Sequence, residues 1–184
     1  MTGKLAGRQI AFLVANEGVE QIELVDPWQA VEQDGGRPVL IAPEPGKVQA
    51  LNHLDRAAKF PVHQTVHEST AEDFAGLLLP GGATCSDLLR ARPGAVALVR
   101  AFVDAGKPVA AICHAAWTLV ETGALAGKTM TSWPSLRTDL ENAGATWVDE
   151  PVHVDSSAGW TLVTSRNPED LPDFCREACL AFAA

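Results

Sequence analysis

The sequence predicts an α/β sandwich: a mostly parallel sheet covered on both faces by helices. Two observations carry this. Short, continuous apolar runs bounded by polar residues, glycine or proline fit strands buried on both faces. These runs alternate with helical segments of roughly ten residues or more, the rhythm of βαβ units with right-handed crossovers.

QIAFLVA at residues 9 to 15 is the first such run. IELVDPWQAVEQDGG then reads as a helix stopped by Gly35 and Gly36, with Pro27 near its first turns or kinking it. RPVLIAP, residues 37 to 43, is the next strand. PEPGKVQA and the stretch holding His53, His63 and His67 give no firm element. FAGLLLPGG, residues 74 to 82, is a strand ending in a glycine turn, and residues 86 to 105 hold one or two helices with Pro93 as a second start. KPVAAIC, residues 107 to 113, is a strand running into the helix HAAWTLVETG. KTMTSW reads as a short strand, PSLRTDLENAG as a helix, TWVDEPVHVDSSAGWTLVTS as two strands and LPDFCREACLAFAA as an amphipathic helix.

Composition narrows the function classes. The 184 residues are 47% hydrophobic and 20% charged, with a net charge of −9 and no basic run, which argues against nucleic acid or an anionic membrane as partner. MTGKLAGRQI lacks the apolar segment of a secretory signal, and no run of about 18 apolar residues predicts a membrane span. Cys85, Cys113, Cys175 and Cys179 form neither a CxxC pair nor a zinc quartet, so no metal is expected, nor any cofactor. Cys175 and Cys179, one turn apart, read as core filler. A reducing cytoplasm is the expected compartment.

In parallel sheets ligands gather beyond the carboxyl ends of the strands. That rule nominates NEGVEQ, PGGATCSD and CHAAW. Cys113 stands where strand becomes helix, facing free N–H groups and the positive end of a helix dipole, both of which favour thiolate. Small neighbours at Ala110, Ala111, Ala115 and Ala116 suit a tight nucleophile elbow. A buried structural thiol is the other reading, and spacing alone does not choose. Consecutive side chains at an elbow diverge, so His114 reaches the thiol only through a particular backbone twist. Of Glu17, Glu20 and Glu23, any one could face Cys113; for Glu17 and Glu23 an acidic first helical turn is the favoured reading. Gly81 and Gly82 let N–H groups converge on an anionic oxygen. His63 and His67 lie in an extended region and do not make a metal pair.

Taken together, VEQIEL, LLLPGG, AICHA, TSWPSLRTDLENAGATWVDEPVHVD and TLVTSRNPEDLP resemble the PfpI-type intracellular proteases of the ThiJ/PfpI superfamily. The resemblance runs over residues 8 to 183 and implies a single domain of flavodoxin-like, class I glutamine amidotransferase-like fold. It implies Cys113 as nucleophile beside His114, Glu20 in contact with the sulfur, and an oxyanion hole from the N–H groups of Gly82 and His114. It further implies an acid from a neighbouring subunit on the histidine, at the place of Asp87, and hence a homodimer or higher homo-oligomer. Two departures stand out: Ala115-Ala116 replaces the family's Gly-Pro, and Asp87 replaces the more usual glutamate. The family implies a stress-response, cysteine-dependent enzyme acting on peptides or on glyoxal-type carbonyls, as a glutathione-independent glyoxalase or deglycase. The competing expectation is a redox sensor whose Cys113 is oxidised to sulfenic or sulfinic acid.

Overall fold

In the computed structural model, which describes residues 3 to 184, the apolar runs become strands as their patterns predict. The elements follow in order: β1 (Gln9–Leu13), β2 (Glu17–Glu20), α1 (Gln21–Gln33), β3 (Arg37–Ala42), β4 (Lys47–Asn52), β5 (Asp55–Pro61) and β6 (Gln64–Thr65). Next come β7 (Gly76–Leu79), α2 (Ala83–Arg90), α3 (Pro93–Asp104), β8 (Val109–Ile112) and α4 (Ala116–Glu121). The chain closes with β9 (Thr129–Met130), α5 (Arg137–Asn142), β10 (Thr146–Trp147), β11 (Val152–Asp155), β12 (Leu162–Ser165) and α6 (Leu171–Ala183).

Seven strands form the main sheet in the order β11-β12-β8-β7-β1-β3-β6. Only β11 runs antiparallel, and it lies at an edge. The central strands β7, β8 and β12 are buried at every position, as strands between two helical layers must be. Helix α1 packs on α6, while α2, α3 and α4 pack on one another. The strand–helix alternation thus yields the mixed α/β fold that the sequence predicts.

The segment predicted as two strands near the end holds three, β10, β11 and β12, and two further departures lie closer to the site. The stretch with no predicted structure is a hairpin, β4 and β5, which joins β2 in a separate three-stranded sheet. Its burial is partial and its residues largely polar, so no apolar period marks it. The predicted helix after Cys113 is also shorter than its apolar run: a single 3₁₀ turn, Cys113–Ala115, precedes only six α-helical residues. Pro27 sits inside α1 and is buried. Having no N–H, it leaves the carbonyl of Glu23, four residues earlier, without its helical donor.

Candidate active site

The ends of β1, β7 and β8 bring the three nominated loops together, since these strands are neighbours at the centre of the sheet. Cys113 follows β8 with a φ of +62°, in the left-handed region that costs an L-residue roughly 1–2 kcal/mol. That twist turns consecutive side chains toward each other. His114 Nδ1 lies 3.2 Å from Cys113 Sγ, so the histidine does reach the thiol. Its ring stacks on Trp133 at 5.6 Å and meets Trp117 edge-on at 5.3 Å. The Trp133 N–H donates to the Cys113 carbonyl at 3.2 Å, tying this wall to the elbow. Burial lowers the His114 pKa and keeps the ring neutral, able to accept a proton.

Gly82 caps α2 with a φ of +102°. A β-carbon there would collide with the Gly18 carbonyl and the Glu20 nitrogen, so only glycine lets β2 close against this turn. The N–H groups of Gly82 and His114 both point at the Cys113 sulfur and pull its pKa down. They are the pair that the family pattern assigns to the oxyanion hole.

The carboxyl at the sulfur is Glu23, which corrects the expectation for Glu20. Glu20 ends β2 and caps α1; its Oε2 accepts the His53 N–H at 3.0 Å at the rim of the cleft. Glu23 lies one turn further, on the face of α1 that carries Leu24, Pro27 and Val31 into the core, and it is fully buried. Gly81 holds the same space open, because a β-carbon there would strike Glu23 Oε2 and Cys113 Cβ. Burial, then the nearby charge of Glu20, pushes the Glu23 carboxyl up to about 8. The Cys113 thiol and the Gly81 N–H approach it. Neither meets ordinary hydrogen-bond geometry, and both carboxyl oxygens lack a partner.

The state of the thiol also differs from the expectation. Burial, then any charge on Glu23, pushes the Cys113 thiol up, and the N–H groups of His114 and Gly82 only partly offset this. The helix that was to stabilise a thiolate begins with a 3₁₀ turn and is too short to supply much dipole. Below about pH 8, however, Glu23 holds its own proton and adds no charge. In that state it stands as an O–H donor beside sulfur. The arrangement is a thiol with an adjacent neutral base, rather than a preformed ion pair.

Asp87 lies exposed on α2 and does not line the cleft. His114 Nε2 makes no hydrogen bond among the described residues, so within one chain the histidine has no acid. The other thiols stand apart from this chemistry. Burial pushes Cys85 up to about 12, where its sulfur accepts the Ala15 N–H at 3.2 Å. Cys175 is half-buried and Cys179 buried, and burial raises both, to about 12 and about 11. Among the described residues no cluster of three or more metal-ligating side chains occurs, and no helix is long and apolar enough to cross a membrane.

A parallel α/β sandwich with a strained cysteine at a strand–turn–helix elbow, a glycine-built N–H pair and a buried carboxyl defines a class of cysteine-centred proteins. Within it, residues 8 to 180 match the DJ-1/PfpI family model, and the chain belongs to that family. It is 42% identical over 173 residues to YraA of Bacillus subtilis, whose name marks it as a candidate cysteine protease, covering 93% of this chain and 96% of that one. It is 36% identical over 171 residues to protein/nucleic acid deglycase 2 of Escherichia coli, covering 93% and 95%. Among solved structures, DJ-1beta of Drosophila melanogaster superposes with a TM-score of 0.83 at 23% identity over 96% of this chain and 91% of that chain, a likeness of fold.

Proposed function

We propose that the chain is a cysteine-dependent enzyme of the reactive-carbonyl type, with Cys113 as nucleophile. The observation that supports this most is the contact of a strained Cys113 with a neutral His114 at 3.2 Å, in a cleft of about 250 Å³ beneath two N–H donors. A cleft of that size suits a small aldehyde better than a folded peptide strand. In the first step Cys113 Sγ bonds to the aldehyde carbon while its proton passes to His114 Nδ1. The C=O electron pair moves to oxygen, facing the N–H groups of Gly82 and His114, and the proton then returns to that oxygen. For an α-oxoaldehyde, moving the C1 proton to C2 gives a thioester, and water releases it as the 2-hydroxy acid. Names of relatives such as deglycase PfpI of Pyrococcus furiosus agree with carbonyl chemistry. Peptide hydrolysis would use the same nucleophile and oxyanion donors.

We further infer that an acid from a second copy, Asp87 on the family pattern, completes His114 at Nε2, so that the working form is a homodimer or larger, in the cytoplasm. The sensor reading draws on Glu23: a buried carboxyl that keeps its proton would donate to an oxidised Cys113 sulfur. The deciding experiment follows methylglyoxal loss and peptide hydrolysis by wild type and Cys113→Ala. The enzyme reading expects methylglyoxal loss that vanishes in Cys113→Ala. Background rates in both proteins, with peroxide-dependent sulfinate at Cys113 in wild type, would overturn it in favour of the sensor.

A further inference from the structure

Glu20, displaced from the sulfur, stands at the mouth of the cleft. Its Oε2 accepts the His53 N–H at 3.0 Å. His53 and Leu54 form the two-residue turn between β4 and β5, and His53 has a φ of +55° at the first turn position, where glycine is the usual occupant. The carboxylate therefore holds a strained turn in place. Leu54 beyond it is 94% exposed, yet it lines the same cleft as Cys113 and His114. An apolar tip and a carboxylate thus form one side of the entrance.

The charges around this entrance are one-sided. No lysine or arginine lines the cleft among the described residues. The guanidinium of Arg56 on β5 pairs with Glu17 at 3.5 Å. Glu23 at the floor keeps its proton at neutral pH, and the charge of Glu20 is one cause. Glu20 is thus the anion whose field an incoming molecule meets on the way to the sulfur, with no cation in the wall to offset it.

We propose that Glu20, with the His53–Leu54 turn it anchors, is the specificity-determining lip of the site: it admits neutral carbonyl compounds with an apolar substituent and repels carboxylates. Assigning this to a substrate rests on the carbonyl reading above, but the selection by charge is a property of the entrance and is measurable without turnover. The test is alkylation of Cys113 at pH 7, followed by mass spectrometry of its peptide, with neutral iodoacetamide and anionic iodoacetate. Each rate is divided by that of free cysteine. In wild type the normalised preference for iodoacetamide is expected to be about tenfold, the size of like-charge repulsion over several ångströms near a protein surface. Glu20→Gln keeps an oxygen for the His53 N–H and removes the charge, and it should shrink the preference by about fivefold. Glu72→Gln, at an exposed acid outside the cleft whose carboxylate pairs with no cation among the described residues, should leave it unchanged. Leu54→Lys, at an exposed position tolerant of change, should move the preference toward iodoacetate by about two- to threefold whatever Glu20→Gln does to the fold. A preference in Glu20→Gln and Leu54→Lys equal to wild type would overturn the proposal. Turnover of methylglyoxal against glyoxylate then carries it to substrates: selectivity in alkylation without turnover of either would sink the enzyme reading and leave the lip standing.

Discussion

Among the described residues Glu23 and Lys128 are the acid and the base buried without any exposure, and they are treated in opposite ways. The Lys128 Nζ donates to the carbonyls of Ser157 at 2.6 Å and Trp160 at 2.7 Å, pairs with Asp155 at 3.3 Å, and lies 4.3 Å from the centre of the Trp160 ring. Burial opposes the charge of Asp155, but hydrogen bonds from Ser157 and Thr129, together with Lys128, hold it well below the usual carboxylate range. Every donor has an acceptor, and the result is a clamp on the loop before β12. Glu23 has no such partners: both oxygens are unpaired, and it answers burial by keeping its proton. A satisfied buried charge holds structure. An unsatisfied carboxyl against a strained cysteine is a cost that stability does not explain, and it lies where a reaction would use it.

Breaking the satisfied side of this contrast should have the largest effect. Lys128→Met leaves Asp155 without its cation and removes the donor to the carbonyls of Asp155, Ser157 and Trp160, and should cost about 3–5 kcal/mol in chemical denaturation. Alkylation of Cys113 below the unfolding transition should be little changed. Gly81→Ala comes next: its methyl group must displace either Glu23 or Cys113, costing about 1–3 kcal/mol and altering the alkylation rate as well.

The unsatisfied side carries a pH signature. Glu23 titrates near 8 in the fold and near 4.3 in the unfolded chain, so between those values the folded state binds the extra proton. Stability should therefore fall as pH rises through that window, by on the order of a few kcal/mol, and level off above it. Glu23→Gln has no proton to lose, so its denaturation midpoint should stay flatter from pH 5 to 8 and exceed wild type at the upper end. The smallest effect is kinetic. Glu23→Leu removes the O–H donor beside sulfur and should slow Cys113 alkylation at pH 7 by about tenfold, the worth of one hydrogen bond to a charged sulfur. Acceleration instead would mean that Glu23 acts on the thiol as an anion.

Much of the fold was visible in the sequence, and the misreading of one glutamate shows where legibility stopped. Strands β1, β3, β7 and β8 announce themselves because burial on both faces demands near-continuous apolar runs. The elbow at Cys113 follows from a strand that ends in small residues. The hairpin of β4 and β5 gave no signal, since partial burial leaves no period. Glu20 was favoured over Glu23 on family pattern, yet helical spacing held the answer: Glu23, Pro27 and Val31 fall at i, i+4 and i+8 beside Leu24, which puts a carboxyl inside the buried stripe. The thiol's environment was misjudged for a related reason. An N-terminal helix dipole presumes a helix, and the chain supplies a 3₁₀ turn and six residues. Lys128 carried no mark at all, because its acceptors are carbonyls of a distant loop.

The protonation of Glu23 at neutral pH is the claim on which the rest depends. The infrared difference between wild type and Glu23→Gln isolates this one carboxyl. The account predicts a carbonyl band of a protonated carboxylic acid at pH 6 to 7, replaced by carboxylate bands as pH passes about 8. Carboxylate bands already present at pH 6 would contradict it.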